Sequence, residues 1–275
     1  MVAELGLKAM NLIDYSAMNM GWSELSTGTG FLKKVTSTIS FPLITSNLMH
    51  KGTNATLGKK YVIKRMGDIR VGILGIIPPE QRDRYAKGCK QNLSEIKGQS
   101  EKAAVPLSLL MERLEIVPPE QALKNLLPEV RNQADIVILL SQYNLEDTSV
   151  LANSLGGIDL AISGRRKKLG SPSDTGVPVL EVAYQCRGIG YVKLTLDDTG
   201  KITQKQNKMI PLTDKIASDQ QIVMITGEDI NKKIKNEEKR KAEEEQRALL
   251  KLSPQEYYEK VIKEQQQQFE NRRQK

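Results

Sequence analysis

Asp135-Ile-Val-Ile-Leu-Leu140 and Ile158-Asp-Leu-Ala-Ile162 decide the architecture of this chain. Both are short apolar runs rich in β-branched residues, the composition of strands covered on both faces. Between them, Asn144 to Leu155 carries Leu145, Val150, Leu151 and Leu155 at helical spacing, so the segment reads strand–helix–strand. Upstream, Tyr61 to Ile76 reads as a hairpin turning at Gly67-Asp68, and Val71 to Ile77 is continuously apolar. Phe41-Pro-Leu-Ile-Thr-Ser46 reads as a short buried strand. Downstream, Val179-Leu-Glu-Val-Ala183 and Gly190-Tyr-Val-Lys-Leu-Thr-Leu196 read as two more strands, the second alternating as a half-exposed strand does. Asp197-Asp-Thr-Gly200 turns that strand into Lys201-Ile-Thr-Gln204. This order predicts a mixed sheet sandwiched by helices, an α/β (α+β) class.

The segments between are helical or irregular. Pro118-Pro-Glu-Gln-Ala-Leu123 starts a helix with Pro in its first turn, and Leu123, Leu126, Leu127 and Val130 continue it toward the strand at Asp135. Arg82 to Pro119 reads as an irregular excursion that includes a helix over Ala104 to Leu114, and Phe31-Leu-Lys-Lys34 begins another helix. From about Ile216 the composition shifts to Lys, Glu, Arg, Gln and Ala. That places a domain over 1–215 and a charged helical extension over 216–275. Ser253-Pro-Gln-Glu256 caps a helix within the extension. The apolar stripe at Leu249, Leu252, Tyr257 and Val261 offers it to a protein partner.

Composition narrows the function classes. A chain of 275 residues with 39% hydrophobic and 27% charged residues can bury a sizeable core. No apolar run approaches the roughly 18 residues of a membrane span, and the N-terminus has no secretory pattern. The net charge is +8, but residues 228–275 hold 13 Lys/Arg against 11 Asp/Glu, so most of the surplus lies in the body. Its one dense cluster is Arg165-Arg166-Lys167-Lys168. No aromatics interleave the basic stretches, which disfavours a nucleic-acid-binding module. Cys89 and Cys186 show no metal-type spacing. The single histidine, His50, follows a strand in Asn47-Leu-Met-His-Lys and reads as a surface-loop residue.

The ordered segments together resemble the N-terminal domain of 5′-nucleotidase-type, calcineurin-like metallophosphoesterases, from about Leu12 to Asp219. Tyr15-Ser-Ala-Met-Asn-Met-Gly21 looks like the strand entering that family's Gly-Asn-His-Glu motif. Phe41 to Asn47 is similar to the strand that follows, and Tyr61 to Gly75 with Pro78 to the hairpin into Val-Gly-Val-Ile-Gly. Asp135 to Ser141 matches the strand ending in Ser-His. Gly157 to Gly164 matches the strand ending in Gly-Gly-His-Ser-His, and Gly190-Tyr-Val-Lys-Leu194 the strand leaving the site. The resemblance implies a metallophosphoesterase-like sandwich and the family's setting, which is nucleotide catabolism with two divalent ions such as Mn, Zn or Fe. It also implies periplasmic or cell-surface location, although this chain carries no signal peptide.

The reactive residues do not carry over. The resemblance places Trp22 where the family has a ligand Asn, Ser23 at the catalytic His, and Ser26 at the Asp that orients it. Gln142 stands for a ligand His, and Arg165 and Lys167 for two more. The family's earlier Asp-x-His and Gly-Asp segments have no counterpart, so the expected domain is N-terminally incomplete. An indole N–H only donates, and permanent cations repel a dication pair. The expectation is therefore a catalytically inactive metallophosphoesterase-like binding or scaffold module that requires no cofactor. Arg165, Arg166 and Lys167 are its candidate residues for a phosphate-bearing small molecule. The alternative is an active metal-dependent phosphoesterase whose site is completed by upstream residues.

Overall fold

The computed structural model describes residues 2–26, 35–79, 113–164, 176–181, 188–197, 202–225, 235–236, 238–240 and 243. Outside them lie Phe31 to Lys34, Ala104 to Glu112, the basic run from Arg165, both cysteines, and the stripe from Leu249 to Val261. The chain divides into two units, Met1–Ala217 and Ser218–Lys275. In the second unit, Asp219 Oδ1 accepts from the amides of Gln221 and Ile222, capping a helical stretch over 220–225. Among the described residues no helix is long and apolar enough to cross a membrane.

In the first unit a five-stranded sheet forms the centre. Strand β4 (Tyr61–Met66) and β5 (Ile69–Ile76) make the expected hairpin, and Gly67 at its turn takes φ +64°. β5 then runs parallel to β7 (Ile136–Ser141), β8 (Leu160–Ser163) and β9 (Val179–Glu181), giving the order β4-β5-β7-β8-β9. Helix α3 (Pro119–Arg131) leads into β7, and α4 (Leu145–Ser154) connects β7 to β8. Asn144 caps α4, its side chain accepting from the Asp147 amide at 2.9 Å.

The two sheet faces bury different sets of side chains because alternation along each strand sorts them. Leu74, Ile76, Val137, Leu139 and Ala161 face Leu123, Leu126, Leu127 and Val130 of α3 and Leu145, Ala152 and Leu155 near α4. Each fully buried leucine there contributes about 1.5–3 kcal/mol. On the opposite face, Val71, Ile73 and Ile136 meet Ile44 and the partly buried Leu194 and Leu196. Those two leucines come from β10 (Gly188–Leu196), which pairs antiparallel with β11 (Ile202–Pro211).

A third apolar cluster gathers α1 (Val2–Leu12), α2 (Trp22–Ser26) and short strands at one end of the sheet: Leu7, Met20, Trp22, Leu25, Phe41, Leu43, Leu48, Ile77 and Leu114. Here β1 (Met18–Asn19) pairs parallel with β2 (Leu43–Ile44), and β3 (Leu48–His50) pairs antiparallel with β6 (Leu114–Ile116).

Four expectations need correction. Of the helix expected over Ala104 to Leu114, Arg113 is helical, but Leu114 opens β6 and its buried side chain joins the third cluster. His50 is the exposed last residue of β3 rather than a loop residue, held by its pairing with Leu114. The strand at Phe41 to Ser46 shrinks to two residues because Ser46 and Asn47 turn their hydrogen bonds onto β5 instead of extending a ladder. β11 extends well past Gln204, to Pro211.

Candidate functional site

Strands β5, β7, β8 and β9 end on the same edge of the sheet, the edge where open parallel sheets collect ligands. The segments that carried the family resemblance converge there. Asn19, the last residue of β1, lies across the ends of β5 and β7. Its Nδ2 donates to the Ile76 carbonyl at 2.9 Å and to the Leu140 carbonyl at 3.2 Å. Asn19 Oδ1 is buried without a hydrogen-bond partner, against the bare Cα of Gly75.

Two residues on, the chain turns into α2. Gly21 N donates to Glu24 Oε2 at 2.8 Å, one half of a capping box. Trp22 then drives its ring into the third cluster with 0% exposure. Its Nε1 donates to the Pro78 carbonyl, just beyond β5, at 2.9 Å. Ser23 and Ser26 share the α2 backbone with Trp22.

The ends of β7 and β8 are joined through hydroxyls. Ser141 Oγ accepts from the Tyr143 amide and from Thr148 Oγ1 at 3.1 and 2.9 Å. Ser163 Oγ donates to the Tyr143 carbonyl at 2.8 Å, and Gly164 N to the Ser141 carbonyl at 2.7 Å. Gln142 follows β7, its backbone N–H donating to the Ile76 carbonyl at 3.2 Å. Its carboxamide fills the space over Gly21, so the Tyr15–Gly21 segment and the end of β7 meet in one contact. On the far side of β5, Asn47 is fully buried. It accepts from Ile77 N and donates to the carbonyls of Ile77 and Val117 at 2.9 and 3.1 Å.

Of the residues singled out from sequence, Trp22 and Gln142 are brought to one edge, with α2 carrying Ser23 and Ser26 beside them. Arg165, Arg166 and Lys167 lie outside the described residues; the chain enters them from the exposed Gly164. Asn19, Asn47, Ser141, Ser163 and Glu181 complete the edge and were not singled out. All five stood in quoted segments as apparent strand residues, and only their roles at the strand ends were hidden.

A dinuclear metal site needs imidazoles and carboxylates converging on the ions. Among the described residues no three of His, Cys, Asp or Glu come together in that way. The atom Trp22 could offer is a donor already spent on Pro78, and the groups nearest it are amides and hydroxyls; Asn19 Oδ1 and the Glu181 carboxylate are the acceptors left over, too few for a pair of ions. The described residues at this edge do not fit a pair of divalent cations.

No family model matches the chain. It is 24% identical over 248 residues to the 5′-nucleotidase of Bos taurus, covering 81% of this chain and 39% of that protein. It is 22% identical over 246 residues to the 2′,3′-cyclic-nucleotide 2′-phosphodiesterase/3′-nucleotidase of Salmonella typhimurium, covering 76% and 35%. Among solved structures, the sulfate thiohydrolase SoxB of Thermus thermophilus superposes with a TM-score of 0.66 at 20% identity, over 82% of this chain and 38% of that one. The calcineurin-like phosphoesterase YfkN of Bacillus subtilis gives 0.62 at 19%, over 81% and 71%. The fold is that of a 5′-nucleotidase-type metallophosphoesterase domain, and the chain spans about two fifths of the length of the curated relatives it matches.

Proposed function

We propose that this chain is a metallophosphoesterase-fold module that binds a phosphate-bearing small molecule without hydrolysing it through a two-metal centre. The observation that carries this reading is the burial of Trp22 with its N–H on the Pro78 carbonyl. An indole in that position excludes solvent and a cation from the start of α2 and has no lone pair to give a metal. Without a dication pair, no bound water is brought to a useful pKa and the charge of a phosphoryl group lacks its main neutraliser. Arg165, Arg166 and Lys167 follow directly on the end of β8, and guanidinium groups take phosphate oxygens in bidentate fashion. Binding at the carboxyl edge by these residues is the role proposed for them.

Metal content and phosphatase activity test the reading together. The purified chain is dialysed against Mn²⁺ or Zn²⁺, its metal is counted, and turnover of AMP and of p-nitrophenyl phosphate is measured. Substoichiometric metal and no turnover are expected. Two equivalents of tightly held metal with turnover would establish the hydrolase that the names of the relatives describe. Calorimetric titration with inorganic phosphate and AMP tests the binding half: a saturable heat that Arg165→Ala weakens is expected, and no heat at all rejects it.

A further inference from the structure

Only one face of the β10–β11 hairpin is packed. Alternation along β10 sends Leu194 and Leu196 inward, where they meet Val71, Ile73 and Ile136. The opposite parity carries Ile189, Tyr191 and Lys193, and the register sets Ile210, Lys208 and Gln206 directly across from them. Residues opposed in a ladder share a face, so these six side chains lie on one outward surface. Ile189 is 54% exposed, Tyr191 51% and Ile210 37%, and Leu212, just past the end of β11, is 42% exposed. A lone exposed apolar residue needs no explanation, but an isoleucine pair with a tyrosine beside it is a contiguous patch of the kind that marks an interaction site.

The charge on this surface has one sign. From Gly188 to Leu196 and from Ile202 to Thr213 the chain has no Asp or Glu, and its charged residues there are Lys193, Lys205 and Lys208. Asp197 stands past the turn end of β10, and Asp214 follows Leu212 by two residues with Lys215 beside it. A second copy of the face would bring like charges together, so the surface does not complement itself. An anionic bilayer matches both of its parts. Aliphatic side chains enter the boundary below the headgroups and a tyrosine ring lies at their level. Lysine stems run along apolar surface and carry their ammonium groups out to the phosphates. The net charge of +8 draws the chain toward such a surface from farther away.

We propose that the outward face of the β10–β11 hairpin docks on an anionic lipid surface. Ile189, Ile210 and Leu212 enter the headgroup boundary, Tyr191 lies at headgroup level, and Lys193 and Lys208 take lipid phosphates. The chain lies on the membrane by this contact and does not span it. None of these residues takes part in the Trp22 contact or in phosphate binding after β8, so failure here leaves the proposed function untouched.

Co-sedimentation of the full chain with vesicles tests the contact, using phosphatidylcholine alone and phosphatidylcholine mixed roughly two to one with phosphatidylglycerol. The chain sediments with the mixed vesicles at about 0.1 M salt, binds phosphatidylcholine alone at least tenfold more weakly, and is released as salt rises toward about 0.5 M. Lys193→Gln and Lys208→Gln each weaken binding about fivefold. Ile189→Thr with Ile210→Thr keeps β-branched residues in the ladder and weakens binding about tenfold or more. Lys59→Gln with Lys60→Gln, exposed lysines ahead of β4, leaves it within about twofold. Circular-dichroism melts confirm that each variant is folded, and the emission of a Tyr191→Trp protein moves to shorter wavelength on the mixed vesicles. No sedimentation with mixed vesicles at about one millimolar lipid overturns the proposal. So does undiminished binding by the isoleucine variant, or an equal loss from the Lys59 and Lys60 pair. A parent dimer that the isoleucine variant dissolves assigns the face to a second copy and overturns it too.

Discussion

The carboxamide of Gln142 rests on the backbone of Gly21, with its Cδ 2.6 Å from where a Cβ on residue 21 would stand. These residues are far apart in the chain, one beside the capping box of α2 and the other at the end of β7. Their contact is the physical form of the convergence that the resemblance implied.

Gly21→Ala therefore sets a Cβ against the Gln142 side chain. Because that side chain is long and partly exposed, it swings away, and the cost is about 1 kcal/mol, at the low end for overpacking. In a Gln142→Ala background the same substitution should cost much less. Urea unfolding of the four proteins in the cycle measures the coupling, and additive values would show that the two residues do not touch.

Gly75→Ala meets a stiffer neighbour. The new Cβ would lie 2.9 Å from Asn19 Cγ and 3.0 Å from Ile44 Cγ1. Moving Asn19 breaks its two bonds to the β5 and β7 ends, so a loss of about 2–4 kcal/mol is expected. Asn19→Ala in the same protein should recover part of it. A Gly75→Ala protein as stable as the parent would contradict the placement of Asn19.

Trp22 can be divided into its ring and its donor. Trp22→Phe keeps most of the buried ring but leaves the Pro78 carbonyl unpaired, at about 1–2 kcal/mol. Trp22→Ala leaves a cavity and costs about 3–5 kcal/mol. Neither should create metal binding, since among the described residues no three of His, Cys, Asp or Glu come together. Denaturant midpoints and metal counts on both variants check the two halves separately.

At the other end of the strands, Asp135 is held by Arg70, whose Nη2 lies 2.6 Å from Oδ1 and whose backbone N–H donates to Oδ2 at 2.7 Å. The guanidinium bond and then the main-chain bond lower its carboxyl from the usual 3.8 to about 2. A lowered folded-state pKa means the stabilisation is complete above the ordinary carboxylate pKa and fades as pH falls toward the folded value. Thermal melts of the parent and Asp135→Asn proteins should therefore converge between pH about 4 and about 2. Parallel profiles across that window would show that the pair adds nothing.

The sequence by itself determined the order and type of the central elements. Strand runs such as Ile136 to Ser141 and the helical spacing of Leu145 to Leu155 are local patterns, and the hairpin turn at Gly67 needs only its own φ. The order of those runs also carried the fold, since each sits in register with its counterpart. Local pattern failed at Phe41 to Asn47 and at Leu114, where short strands are dictated by partners elsewhere in the chain. Tertiary structure alone decided what each edge residue does. Trp22 binds a carbonyl 56 residues away, Asn19 spans two strands, and the hairpin register sets Ile189 across from Ile210. A hydrogen bond or a cross-strand pair between remote segments leaves no periodicity in either of them, so only the packed chain could show it.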